Sequence, residues 1–204
     1  MSGQINRGSE LGEIIFNIAR KEDCKSIVEI GTWNGQGSTK CFLDGLLTRE
    51  DDWRFFSFEA SEQFHAQAVD FHSDLDIRAR LIYGTIIDSQ DVFNKNQIEL
   101  LGELTTEHES WLMADLKNYE KCENKISLLE EIDVIDILLL DGGEFSTLAE
   151  FKTLGHRVNT LILDDTRCFK NKIVMEILTD NPLWDLSFDS DSRNGFAIFK
   201  RITV

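Results

Sequence analysis

Short β-branched or aromatic runs, several of them nearly all apolar, constrain the fold of this chain most strongly, and longer amphipathic stretches separate them. The runs are Ser26 to Gly31, Arg54 to Glu59, Arg80 to Tyr83, Val134 to Asp141 and Thr160 to Asp164. Apolar residues at successive positions are typical of strands that are covered on both faces, as in a parallel sheet. The stretches between the runs carry apolar residues at helical spacing, for example Leu11, Ile14, Ile15 and Ile18. This alternation predicts a β-α-β-α order with right-handed crossovers and a three-layer α/β sandwich.

The C-terminal part of the chain departs from this alternation. Trp184 to Phe188 alternates apolar and polar residues, an Asn194-Gly195 turn signal follows, and Phe196 begins a further apolar run. This pattern predicts a β-hairpin. We therefore expect a mostly parallel sheet of seven strands that ends in a C-terminal antiparallel hairpin.

No linker, repeat or low-complexity block interrupts the 204 residues, which predicts a single domain over residues 1–204. The segment between Thr85 and Glu131 is longer than a minimal crossover between parallel strands needs. Within it, Leu112, Leu116 and Tyr119 stand at helical spacing. We expect a helical insertion, or lid, at about residues 86–131.

Charge, cysteine content and hydropathy indicate which partners and which cellular location are compatible with this sequence. The 21 Lys and Arg residues against 37 Asp and Glu residues give a net charge of −16, which opposes binding to nucleic acid and to anionic membranes. Cys24, Cys41, Cys122 and Cys168 form no C-x-x-C pair, so we expect reduced thiols in a cytoplasmic protein. No apolar stretch approaches the roughly 18 residues that a transmembrane helix requires, and the polar start lacks the pattern of a signal peptide.

A glycine-rich loop follows the first predicted strand, with the sequence Glu29-Ile-Gly31-Thr-Trp-Asn-Gly35-Gln-Gly37-Ser38. Glycines at such a turn let a ligand approach the backbone at the N-terminus of the next helix. A dinucleotide motif G-x-G-x-x-G that starts at Gly35 has Lys40 at its third glycine position, which disfavours a nicotinamide-dependent oxidoreductase. No G-K-[ST] follows, which excludes a P-loop. The remaining pattern, E-x-G-x-x-x-G-x-G, resembles that of the class I S-adenosylmethionine (SAM)-dependent methyltransferases, which have a Rossmann-like fold.

The resemblance implies which residues bind SAM. In this family an acidic residue at the end of the second strand contacts the ribose hydroxyls, and Glu59 stands there. Gly84 and Thr85 follow the third predicted strand, where the family contacts adenine. The cofactor-binding residues that the resemblance implies are Glu29, Gly31, Thr32, Trp33, Asn34, Gly35, Gly37, Ser38, Glu59, Ala60, Gly84, Thr85 and Asp141.

Acidic residues after the fourth and fifth predicted strands resemble the metal-dependent O-methyltransferases of the catechol and macrocin types. The chain has one proline, Pro182, so the [DN]-P-P-[YF] motif of many amino-methylating relatives cannot occur. Parallel strands end at the same edge of a sheet, where carboxylates repel one another unless a cation lies between them. The resemblance implies that Asp141, Asp164 and Asp165 hold Mg²⁺, which prefers oxygen ligands. The alternative is that Asp164 and Asp165 cap the following turn.

The chain departs from both types beside Asp141. The macrocin type has a second Asp two residues on, where this chain has Gly143, and the catechol type has a lysine where this chain has Glu144. Asp141 and Glu144 are the predicted catalytic residues, with a solvated loop charge as the alternative for Glu144. Thr147 and Glu150 have the spacing of a capping box.

A basic cluster follows the acidic pair, and it has two interpretations. The cluster consists of Arg167, Lys170 and Lys172. It would either bind an anionic group of the acceptor or form the solvated face of a helix.

These features together predict a SAM-dependent methyltransferase, with Mg²⁺-dependent O-methylation of a small hydroxylated acceptor such as a sugar or secondary-metabolite precursor. A metal-independent small-molecule methyltransferase and a non-catalytic nucleotide-binding module of the same fold stay open as alternatives. Assembly into a homo-oligomer is also left open.

Overall fold

Strands and helices alternate along residues 4–202, the part of the chain that the computed structural model describes. The strands are β1 (Ser26–Ile30), β2 (Arg54–Glu59), β3 (Ala79–Tyr83), β4 (Ile135–Leu140), β5 (Val158–Asp164), β6 (Trp184–Ser190) and β7 (Phe196–Arg201). The α-helices are α1 (Glu10–Ala19), α2 (Ser38–Leu46), α3 (Glu62–Phe71), α4 (Lys95–Leu100), α5 (Thr106–Lys121), α6 (Thr147–Leu154) and α7 (Phe169–Thr179). Every predicted strand is present, and only its end residues differ from the prediction.

The strands form one sheet in the order β3-β2-β1-β4-β5-β7-β6. β1 to β5 pair in parallel, β7 pairs antiparallel with β5, and β6 pairs antiparallel with β7. The predicted seven-stranded, mostly parallel sheet with a C-terminal hairpin is therefore confirmed. The chain builds β1 to β3 outward on one side and then returns to place β4 on the other side of β1. Open α/β sheets bind ligands at such a switch point, beyond the carboxyl ends of the strands.

Two apolar layers explain why most of the predicted strands lack a polar face. On β4, Leu138 and Leu140 pack into the layer under α4 to α7, whereas Ile137 and Leu139 pack into the layer under α1 and α2. All four side chains are fully buried. A strand buried on both faces gains hydrophobic free energy from every residue, which is why its sequence is a continuous apolar run.

The segment expected to be an insertion contains α4, α5 and short 3₁₀ turns at Ser89–Asp91 and Ile126–Leu129. Ile98 of α4 and Leu112 and Tyr119 of α5 anchor it to the layer that also receives α6 and α7. α5 thereby lies over the carboxyl ends of β1 and β4, above the switch point. No helix within residues 4–202 has the length and apolar character to cross a membrane.

Candidate functional site

The loop between β1 and α2 passes so close to the end of β4 that it requires glycine. Gly31 has a φ of +102°, and a Cβ atom at this position would lie 2.2 Å from the backbone oxygen of Asp141. Gly35 has a φ of +77°, and its carbonyl oxygen lies 2.7 Å from Nε2 of His72. Trp33 also has a positive φ, of 49°. L side chains rarely adopt this backbone region, so the loop is strained at Trp33 to keep its shape.

Glu59, at the end of β2, is held in a fixed orientation by this loop. Its Oε2 accepts a hydrogen bond from the backbone N–H of Trp33 at 2.7 Å, and its Oε1 accepts one from the N–H of Ser61 at 2.8 Å. Burial raises the pKa of Glu59, and the two N–H donors oppose this shift. The carboxylate is thus oriented before any ligand binds.

A cavity of about 460 Å³ opens beside the loop, within the range of about 300–1,000 Å³ that is typical of small-molecule sites. Most of the predicted cofactor-binding residues line it. They are Gly31, Thr32, Trp33, Gly37, Ser38, Glu59, Ala60, Gly84, Thr85 and Asp141.

Three predicted cofactor-binding residues support the loop and do not line this cavity. Glu29 is fully buried, accepts hydrogen bonds from the hydroxyls of Thr39 and Ser57, and has its pKa raised by burial to about 7. Asn34 accepts a hydrogen bond from the backbone of Gln36. Gly35 packs against α3, since a Cβ atom at this position would lie 3.1 Å from Ala68.

A second cavity, of about 590 Å³, lies on the other side of the β4–α6 loop. Its wall combines aromatic side chains of α5 and α7 with charged groups. It includes Glu103, His108, Trp111, Ala114, Glu144, Asp165, Arg167, Cys168, Phe169, Lys170 and Asn194. Asp115, Gly142 and Gly143 line both cavities. The two cavities therefore meet at the carboxyl end of β4.

The three predicted metal ligands come together as expected. Carboxylate oxygens of Asp141, Asp164 and Asp165 lie within 4.8 Å of one another. Burial, together with the charges of Asp141 and Asp165, raises the pKa of Asp164. Three carboxylates at this distance need compensating positive charge.

Lys170 supplies part of that charge, so the interpretation of Lys170 as a solvated helix charge is wrong. Lys170 also lines the second cavity, so binding of an anionic group of the acceptor stays a prediction. Its Nζ lies 2.7 Å from Oδ1 of Asp141 and 2.8 Å from Oδ2 of Asp165, and its side chain is 9% exposed. Burial lowers the pKa of Lys170, but the two carboxylates outweigh burial and raise it overall. Arg193, in the turn between β6 and β7, donates to Asp164 at 2.9 Å.

The other members of the predicted basic cluster turn away from Lys170. Arg167 pairs with Asp189 and Asp191 of the C-terminal hairpin, and Lys172 pairs with Glu103. Arg167 precedes α7, whereas Lys170 and Lys172 lie two positions apart on this helix and therefore point in different directions.

Solved structures with this architecture include several methyltransferases. A methyltransferase from Geobacter sulfurreducens has a TM-score of 0.62 at 13% identity, over 98% of this chain and 82% of that chain. The O-methyltransferase from Bacillus cereus, in complex with S-adenosylhomocysteine (SAH), has a TM-score of 0.60 at 15% identity, over 94% and 80%. The O-methyltransferase TomG from Streptomyces achromogenes, involved in tomaymycin synthesis and in complex with SAM, has a TM-score of 0.59 at 12% identity, over 95% and 80%. The chain has the class I methyltransferase fold. Its sequence matches no protein-family model and no curated protein.

Residues of α5 extend the site beyond what the resemblance to this fold implied. Asp115, Asn118 and Tyr119 line the first cavity, although the sequence indicated only the apolar spacing of this helix. Burial raises the pKa of Asp115 to about 6, and its Oδ2 has no hydrogen-bond partner among the described residues. No motif surrounds Asp115, because its role depends on how α5 packs over β4. The one available signal was an acidic residue beside Leu116 in the apolar stripe.

The structure corrects the predicted capping box of Thr147 and Glu150 after β4, and it shows what Glu144 contacts. Thr147 and Glu150 form no capping box: Glu150 is buried and accepts a hydrogen bond from the hydroxyl of Tyr119 at 2.6 Å, while the Thr147 hydroxyl donates to Gly143. Helix packing overrides the local pattern here, because α5 presents Tyr119 to the carboxylate. Oε1 of Glu144 accepts the backbone N–H of Lys170 at 3.0 Å and thereby caps the first turn of α7.

Proposed function

We propose that this protein is a SAM-dependent methyltransferase that methylates an oxygen of a small hydroxylated acceptor, such as a sugar or secondary-metabolite precursor. The observation that carries this proposal is the junction of the two cavities at Asp115, Gly142 and Gly143. A cofactor in the first cavity and an acceptor in the second would meet there without any rearrangement of the sheet.

The first cavity has the donors and acceptors that SAM requires. Glu59 would accept hydrogen bonds from the two vicinal ribose hydroxyls, since each of its oxygens keeps a free lone pair beside its backbone donor. The strained loop at Trp33 and the close approach at Gly31 would bring backbone groups to the amino-acid part of the cofactor. When bound, SAM supplies an electrophilic methyl group. Proteins of the same fold from Bacillus cereus and Streptomyces achromogenes contain SAH and SAM.

The second cavity suits a small acceptor that combines ring surface with hydroxyl groups. His108 and Trp111 have ring centroids 5.4 Å apart, and His108 also contacts Phe145 at 5.9 Å. His108, Trp111 and Phe169 offer an apolar surface beside the charged groups of Glu144 and Lys170. We propose that the segment 86–131 acts as the lid of this cavity. The net charge of −16 supports a small-molecule acceptor over nucleic acid.

Asp115 is the proposed general base. A base works best when its pKa is near the working pH, and the pKa of Asp115 is raised to about 6. The predicted catalytic residues Asp141 and Glu144 flank the same junction, but Lys170 engages both of them through its Nζ and its backbone N–H. Asp115 would take the proton of the acceptor hydroxyl as that oxygen bonds to the methyl carbon and the bond between this carbon and sulfur breaks, so that SAH would leave as the second product.

The residues present do not fit the predicted Mg²⁺. Asp141, Asp164 and Asp165 offer the hard oxygen ligands that this ion prefers, yet Nζ of Lys170 lies between two of them. We therefore route no step of the proposed reaction through a metal ion. A cytoplasmic location belongs to the same proposal, supported by four unpaired cysteines.

The proposal is tested first by isothermal titration with SAH, with NAD⁺ as the control ligand, and then by transfer of labelled methyl groups from SAM to a panel of hydroxylated metabolites. We expect SAH to bind and NAD⁺ not to bind. Binding of NAD⁺, or of neither ligand, would contradict the proposal. Binding of SAH without transfer to any acceptor would favour the non-catalytic module.

Asp115→Asn then tests the base. We expect a loss of at least about 100-fold in the rate of transfer, which is the lower end of the contribution of general base catalysis, with SAH affinity nearly unchanged. In the wild-type protein the rate should fall as the pH drops through about 6, because Asp115 becomes protonated. Glu120→Gln, at an exposed position of the same helix, is the matched control and should leave the rate and its pH profile unchanged.

A further inference from the structure

Two cations of the chain itself occupy the acidic cluster at the carboxyl ends of β4 and β5. Lys170 joins Asp141 to Asp165, and Arg193 pairs with Asp164. We propose that Lys170, assisted by Arg193, takes the place of a divalent cation, so that this site works without metal. The replacement of a metal ion by Lys170 is inferred from the structure alone. The role of Lys170 in methyl transfer rests on the proposed function.

The charges balance in the same way as in a metal site. Three carboxylates around one divalent ion carry one net negative charge, and three carboxylates with one ammonium and one guanidinium carry the same. Adding a divalent ion to the present cluster would reverse its sign and leave two buried cations beside a metal. Such an arrangement is unfavourable at low dielectric.

The ammonium group also takes up the space that an ion would need. Mg²⁺ binds carboxylate oxygens at about 2.0–2.1 Å, so an ion shared by Asp141 and Asp165 would lie where Nζ of Lys170 contacts both. An ion could bind only after this side chain had left.

The backbone of α7 holds Lys170 in this position. Glu144 accepts the N–H of Lys170, and the side chain of the next residue, Asn171, donates to the carbonyl oxygens of Leu140 and Asp164. Asn171 is fully buried. The lysine is therefore fixed from both sides by contacts to β4 and β5.

Lys170 lines the acceptor cavity, so the replacement of a metal ion by Lys170 affects which acceptors the site would take. An ammonium group has three N–H donors, and Asp141 and Asp165 account for two of them. The third is left for an oxygen of the acceptor, whose negative charge it would stabilise as the proton leaves. A metal favours acceptors that chelate it through two oxygens, whereas one N–H donor requires a single hydroxyl. The acceptor class therefore extends to compounds without a vicinal pair.

The test is the binding of Mn²⁺, followed by electron paramagnetic resonance because the signal of the aquated ion falls when it binds. We expect no saturable binding to the wild-type protein at millimolar MnCl₂. Lys170→Ala removes the cation that pairs with Asp141 and Asp165 and should bind Mn²⁺ at least about tenfold more tightly than the wild type does. Lys172→Ala is the matched control: it removes a lysine of the same helix that pairs with Glu103, and it should behave like the wild type.

A second readout covers the case in which Lys170→Ala is unstable. Mn²⁺ should raise the melting temperature of Lys170→Ala and leave that of the wild type unchanged. If the variant does not fold, the wild-type measurement tests the proposal by itself. Absence of Mn²⁺ binding to the wild type then supports the replacement of the metal ion by Lys170. Saturable Mn²⁺ binding to the wild type that Asp164→Asn abolishes would overturn the proposal. So would the absence of Mn²⁺ binding in a folded Lys170→Ala. SAH binding, measured separately on the same samples, reports on the proposed function and is independent of these outcomes.

Discussion

At the scale of single residues, Glu59 shows how the fold orients in advance the carboxylate that we propose contacts the ribose. Both of its oxygens accept backbone N–H groups, from Trp33 and Ser61. These bonds fix the rotamer, so that binding a ribose would cost little additional side-chain entropy. A carboxylate here also disfavours ligands with a phosphate on the ribose.

We predict that Glu59→Ala weakens SAH binding by about 1.5–3 kcal/mol, the range for the loss of a charged hydrogen bond. Isothermal titration with SAH measures the change directly. Glu62→Ala is the control, because Glu62 is an exposed carboxylate at the start of α3. An unchanged dissociation constant in Glu59→Ala would show that the ribose lies elsewhere.

At the scale of elements, the loop between β1 and α2 depends on Gly31 for steric reasons and not for flexibility alone. A Cβ at Gly31 would collide with the backbone of β4, whereas Gly102, after α4, also has a positive φ, of +72°, but nothing within 4 Å of the added atom. The two glycines therefore separate the cost of backbone strain from the cost of a collision.

We predict that Gly102→Ala lowers the free energy of unfolding by about 1 kcal/mol, the cost of a left-handed backbone for a residue with a Cβ. Gly31→Ala should lower it by at least about 2–3 kcal/mol and should also weaken SAH binding, because β1 and β4 must move apart. Urea unfolding followed by circular dichroism compares the two variants. Equal losses would mean that the loop relaxes freely around the new side chain.

The strands could be predicted from the sequence, whereas some helix contacts could not. β1, β2, β4 and β5 are buried on both faces over most of their length, so the apolar composition of each run predicts a strand inside the sheet. Lys170 and Asp115 give no such signal, since a helix residue faces a carboxylate, a cavity or solvent according to how the helix packs. Thr147 and Glu150 illustrate the same limit. Their spacing fits a capping box, but the carboxylate of Glu150 accepts a hydrogen bond from Tyr119, which lies on α5.

At the scale of the whole molecule, buried acids link stability to pH. Burial raises the pKa of both Glu29 and Glu150 to about 7 and that of Asp115 to about 6. A carboxyl group with a raised folded-state pKa binds protons more tightly in the folded state. Its contribution to stability is full below about pH 4, near the unfolded pKa values of Asp and Glu, and is lost as the pH rises through its folded pKa.

We predict that the melting temperature falls by at least about 5 °C between pH 5 and pH 8. The negative charge of the molecule acts in the same direction, because each further ionisation adds repulsion. Calorimetry over this range measures the slope, and Glu150→Gln should flatten it while its amide oxygen keeps the bond from Tyr119. A melting temperature that rises from pH 5 to pH 8 would contradict these pKa values.

The wall of the first cavity joins residues from nearly opposite ends of the sequence, with Gln4 and Ile5 on one side and Arg193 on the other. During synthesis the wall of the proposed cofactor site is incomplete until the hairpin between β6 and β7 has left the ribosome, because Arg193 lies in its turn. Cofactor present in the cell would therefore stabilise finished chains and leave partly synthesised ones without that protection. Ligand-dependent protection from proteolysis would thus serve as a readout of completed folding.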